Sequence, residues 1–222
     1  LENLPKQNQP KQGRAPLLNR LCEGNYKKIN MKWIFGCLLI ILAMPLRGQR
    51  LDIGKEKEQP IKVDDQWEEI KSYDGKFRIL SPEVMTKKID TVETQIGQLA
   101  YHTYFFQDDL QGENLFYMLS YCDYPEYTVH SDSSELLPEF FEATMESAAA
   151  SVNGELLYSD DFSYREYPGK VWRIDYLEGK ALIKTRAYLI GRRYYAMQTI
   201  TLKDRSLNTA SDKFLDSFRF LE

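Results

Sequence analysis

The chain has 222 residues, 43% of them apolar and 28% charged, with 29 lysines and arginines against 33 acids and a net charge of −4. That balance excludes a wholly disordered, collagenous or membrane-embedded chain and predicts one main globular core.

Residues 1–30 (opening LENLPKQNQPKQGRAP) are too poor in apolar side chains to order themselves, and disorder is expected there. A complete secretory signal begins at Met31, which marks residues 1–30 as translated upstream sequence; a genuine basic extension is the alternative. The signal has a basic start at Lys32, a charge-free run of 14 residues from Trp33 to Leu46, and a polar boundary at Arg47, Gly48 and Gln49. A helix crossing the hydrocarbon layer needs ~20 residues, so residues 31–48 predict a cleaved signal with its cut after Gly48, not a permanent membrane span. Cys37 comes only six residues after the signal's start, with most of the apolar run following it, which argues against acylation. The expected location is periplasmic or extracellular.

Cleavage removes 8 of the 29 basic and 2 of the 33 acidic side chains, leaving a net charge of about −10. Such a surface repels phosphate backbones, and no nucleic-acid partner is expected. Cys122 is the one cysteine left, so an internal disulfide is excluded and stability must come from packing.

Residues 49–66 are charged, carry Pro60 and read as a linker; the globular domain is expected over 67–222. WEEIKSY and KFRIL flank Asp74-Gly75, a pair that predicts a tight type I′ hairpin. VMTKKIDTVET, GQLAYHTYFFQ and NLFYMLSYCDY predict three further strands. Both alternating sets of the last are apolar or aromatic, as in a strand covered on both faces. The period then changes. Phe140, Phe141, Thr144, Met145, Ala148 and Val152 share one face of a helix from about Pro138 to Val152, with Gly154 as its stop. Ala148 to Ala150 lets that helix approach the sheet closely.

LLYSDDFSYREY, KVWRIDYL after a Pro168-Gly169 turn, ALIKTRAYLI after Glu178-Gly179, and RYYAMQTITL after a type II′ turn at Gly191-Arg192 predict a second meander. A final helix from about Asn208 to Ser217 presents Ala210, Phe214 and Phe218, capped by Ser206 or Asn208. The sum is an α+β fold: an antiparallel β-sheet of about six to eight strands flanked by helices.

Three segments resemble the PsbP-like family, named for an extrinsic subunit of the photosynthetic oxygen-evolving complex, whose fold is shared with a small Ran-binding protein of yeast. They are Phe77-x-Ile79-x-x-Pro82, the hairpin from Ala187 to Tyr195, and the ending from Lys213 to Phe220. The resemblance covers most of Trp67 to Glu222 and implies an α/β/α sandwich. Members resembling this fold serve as assembly factors, extrinsic subunits or small-protein binders, and no metal- or nucleotide-binding position carries over.

Candidate chemistry is sparse. His102 sits in a strand beside Tyr101 and Tyr104, and His130 in a polar loop near Asp132 and Glu135. Cys122 reads as a buried apolar thiol, since no cation neighbours it in sequence. The pairs Asp64-Asp65, Asp108-Asp109 and Asp160-Asp161 lack the organised spacing of a calcium loop and read as turn chemistry. The most suggestive constellation is basic and aromatic. Lys184, Arg186 and Tyr188 share one strand face, with Arg192, Arg193 and Tyr194 following the turn. It predicts either a contact surface for an anionic ligand or partner, or ion pairing with the strand that carries Asp175.

The expectation is a non-catalytic binding or assembly module of the cell envelope, with no metal or cofactor, whose partner is an envelope protein. The alternative is a carrier of a small apolar ligand enclosed by the aromatic strands and the Phe140/Phe141 helix. A hydrolase using His130 is a third class.

Overall fold

The computed structural model describes residues 67–94 and 96–222; the upstream tract, the signal and the linker lie outside the described residues. Strands β1 (Glu68–Ser72) and β2 (Phe77–Ser81) form a hairpin, and β3 (Thr86–Thr94), β4 (Gly97–Gln107) and β5 (Phe116–Asp123) follow as a meander. Helix α1 (Leu137–Ser151) leads to a second meander, β6 (Glu155–Tyr164), β7 (Tyr167–Tyr176), β8 (Ala181–Ile190) and β9 (Arg193–Leu202). A 3₁₀ turn at Lys203–Arg205, helix α2 (Thr209–Asp216) and the short strand β10 (Arg219–Phe220) complete it.

The two meanders join through β5 and β9 into one seven-stranded antiparallel sheet of order β3-β4-β5-β9-β8-β7-β6. Strands β1-β2-β10 form a second, separately hydrogen-bonded sheet. The α+β class and the strand number of the main sheet agree with the sequence reading. The tenth strand, too short to show a period, was not anticipated.

Period-2 alternation gives the large sheet two apolar faces. On one, Met118, Cys122, Ala187, Leu189 and Tyr194 pack with Phe140, Phe141 and Met145 of α1. On the other, Tyr117, Leu119, Tyr121, Tyr188 and Tyr195 pack with Phe77 of β2, with Phe214 of α2 and with Phe218. Strand β5 thus contributes to both cores, as its doubly apolar sequence predicts.

Three local details differ from expectation. The β1–β2 turn is not a two-residue type I′ turn at Asp74-Gly75. It spans Tyr73 to Lys76, closed by Lys76 N–H to Tyr73 O at 3.1 Å, and only Lys76 in it has positive φ, 50°. Gly75 is required for space, since a Cβ there would lie 2.6 Å from the Phe77 ring. The turn expected at Pro168-Gly169 falls instead at Arg165-Glu166, between the paired Tyr164 and Tyr167. Pro168 runs within β7 just before its pairing with β8 begins at Gly169, so its missing N–H costs that ladder nothing. Gly154 does not supply the left-handed residue at the end of α1. Asn153 does, with φ 51°, while Gly154 N–H closes on Ala149 O at 2.9 Å.

Asn208 caps α2, accepting from Ser211 N–H at 2.7 Å. Below it, the fully buried Asn114 accepts from the hydroxyls of Thr201 and Ser211 and donates to Tyr117 Oη at 2.9 Å. This polar knot anchors the start of α2 to β9 and to the loop before β5.

Candidate functional site

The basic face of β8 lies under α2. Lys184 pairs with Asp212, and Arg186 Nη1 donates to Asp216 Oδ1 at 2.5 Å and to Leu215 O at 3.2 Å. The match is geometric. Two residues of strand advance about 6.6 Å and four residues of helix about 6.0 Å, so alternate cations on β8 meet acids one helical turn apart on α2. The acidic partners are therefore on α2, not on the strand of Asp175, which instead lies 3.7 Å from Lys203.

Tyr188 continues the same face as a buried core residue, its ring stacked at 5.6 Å on Phe218, and burial pushes its phenol up to about 12. Arg192 is exposed at the β8–β9 turn. Arg193 places Nε and Nη2 each 2.7 Å from the two oxygens of Asp123, and Nη1 2.7 Å from Asp74 O. Its guanidinium lies 4.8 Å over the Tyr121 ring. Tyr194 points to the opposite face, 5.7 Å from Phe140 under α1. The six candidate residues are thus divided between the α2 seam, the turn and the α1 core, and do not share one surface.

The remaining candidates have structural surroundings. Cys122 is buried, and burial pushes its thiol up to about 12, far from a thiolate. His102 stacks on Tyr121 at 4.5 Å, with burial and then Lys87 and Arg193 lowering its pKa. His130 is exposed, its Nδ1 accepting from Asp132 N–H at 3.3 Å. Asp108 and Asp109 accept backbone N–H groups of their own turn. Among the described residues, no group of three or more His, Cys, Asp or Glu side chains is placed to hold a metal ion.

What the sequence reading missed is the edge of the sheet. Strands β3 and β6 are its two edges, and unpaired edges template association unless charge or proline blunts them. Strand β3 is blunted: Lys87, Lys88, Asp90 and Glu93 interrupt it, and Ile89 is its one strongly exposed large apolar side chain. Strand β6 carries three acids, Glu155, Asp160 and Asp161, but no lysine or arginine, and keeps four large apolar side chains exposed. Leu156, Leu157, Tyr158 and Phe162 are 36%, 49%, 44% and 38% exposed. Its alternation of apolar and polar residues reads as a half-buried strand, and only the strand order shows that both its faces and its outer edge meet solvent.

On the α2 side of this edge stand Tyr158, Asp160 and Phe162, with Arg173 5.5 Å over the Tyr158 ring and Arg186 4.5 Å over that of Phe162. Asp161, on the other side, pairs with Lys170 at 2.7 Å. The Asp160 carboxylate accepts Asp161 N–H at 2.8 Å and has no cation at ion-pair distance among the described residues.

No protein-family model matches the chain, and no curated protein matches it significantly. Among solved structures it is similar to the cyanobacterial PsbP (CyanoP) of Synechocystis sp. PCC 6803, solved in solution. That similarity covers 74% of this chain and 98% of the other, at 10% identity and a TM-score of 0.48. The α+β class rests on the strand order described above.

Proposed function

We propose that this chain is an exported, non-catalytic docking module that binds an envelope protein through the β6 edge. The observation carrying this reading is the concentration of exposed apolar side chains on one edge strand of an otherwise well-covered sheet. Phe140 supports docking over ligand carriage. It lies edge-on to Tyr124, Phe141 and Tyr194, filling the layer where a carrier would hold an apolar molecule. Export is proposed from the 31–48 signal, and N-terminal sequencing of the protein from its own cells should begin at Gln49.

The docking test uses a photo-crosslinking amino acid at Tyr158 and, as control, at the exposed Thr91 of β3, in cells that naturally make the protein. The expected result is a single adduct of constant mass from position 158 and none from 91. Equal labelling from both positions, or none from either, would remove the β6 edge as the contact.

A further inference from the structure

We infer that the partner seats on β6 as an added antiparallel strand, with a basic residue at the centre of the added segment flanked two positions away on each side by apolar residues. This rests on the docking reading and specifies its chemistry. Hydrogen-bonded and non-hydrogen-bonded pairs alternate along an antiparallel ladder. Counted from the Tyr164↔Tyr167 pair that closes the two-residue turn, Ser163, Asp161 and Ser159 turn their N–H and C=O groups away from β7. The register irregularity between Leu156 and Tyr158 lies beyond this stretch and leaves it regular. Three consecutive outward residues offer five open backbone hydrogen-bonding groups to an incoming strand, the geometry of strand addition; the sixth, Asp161 N–H, is held by Asp160 Oδ1.

The side chains specify what that strand carries. Facing the newcomer on the α2 side are Tyr158, Asp160 and Phe162, an acid between two exposed aromatic rings. Asp160 sits opposite the incoming strand at a non-hydrogen-bonded position, where facing side chains come closest. Its charge is not neutralised within the described residues, so a lysine or arginine there completes it, and apolar residues at the positions before and after lie against the two rings. A second copy of this chain is disfavoured by the same residues. A twofold β6–β6 pairing centred on the outward stretch from Ser159 to Ser163 would set Asp161 directly opposite its counterpart, like charges opposed.

The test uses two synthetic peptides, Thr-Val-Thr-Lys-Thr-Val-Thr and the same sequence with Glu for Lys, added to the full mature chain. The Lys peptide is expected to bind at least tenfold more tightly by fluorescence anisotropy and to slow amide exchange of Ser159 and Ser163 at least tenfold. Ser159→Pro removes an open outward N–H and should abolish both effects. Asp160→Lys keeps the backbone and should reverse the peptide preference, which preserves the test if the proline variant does not fold. Absence of binding, slowing at other amides, or unchanged preference in Asp160→Lys would overturn strand addition. So would a concentration-dependent dimer of the free chain lost in Asp160→Lys, which would identify a second copy as the occupant. If the position-158 adduct forms while the peptides fail, docking stands and strand addition falls. If the adduct itself is absent, the docking reading fails.

Discussion

Arg193 ties its own strand β9 to two other segments through one guanidinium: to β5 at the Asp123 carboxylate and the Tyr121 ring, and to the β1–β2 turn at the Asp74 carbonyl. The hydrogen bond from Arg193 holds Asp123 below its ordinary value of 3.8. A depressed carboxylate contributes stability above its unfolded pKa and loses that contribution as pH falls through the folded value. Urea stability should therefore fall on acidification below about pH 4. Asp123→Asn should flatten part of that decline and cost about 1 kcal/mol at pH 7, since the carboxylate is partly solvated. Asp123 and Arg193 were legible singly but not as a pair, because 70 residues separate them. Cys122 was legible because a strand apolar on both faces buries either alternating set. Its thiol should stay unreactive toward a thiol reagent in the native protein, with labelling at the rate of global opening; fast labelling at neutral pH would contradict its burial.

At the scale of elements, the cations of β8 act as a seat for α2. Asp212→Asn with Asp216→Asn should lower stability by about 1 kcal/mol in low salt, less in 1 M NaCl, measured as a shift in urea midpoint at constant slope. A free anion-binding patch would show no such dependence on the helix. The period of β8 showed which residues share a face. It did not show what covers that face, since α2 lies about thirty positions further along the chain. Gly169 gives a second element-level prediction. A Cβ there would meet the Ala187 carbonyl and lie 2.7 Å from the Tyr188 ring. Gly169→Ala should cost about 2 kcal/mol, read by denaturation, because β7 and β8 must part to admit it.

For the whole molecule, the sequence revealed the element types and their order through periodicity, including both meanders and both helices. Strand order was beyond it: β9 lies beside β5 only because the second meander folds back along the first. The β6 edge was therefore invisible before the sheet was assembled, whereas the basic residues of β8 stood out through strand alternation. The sheet is clad on both faces, so loss of either cladding should be felt throughout. Phe218 lies among the rings of Tyr188, Tyr195 and Tyr164, and Phe218→Ala should cost about 3 kcal/mol in a single cooperative transition.

The small sheet sets a condition on the timing of folding. Strand β10 pairs with β2, Leu221 N–H donates to Lys76 O at 2.8 Å, and Ser217 Oγ accepts from Leu80 N–H across 137 residues of sequence. A nascent chain bearing only the first hairpin has no neighbour for its outer strand until residues near 220 have been synthesised. The small sheet is thus fastened last, by contacts that span most of the domain's sequence.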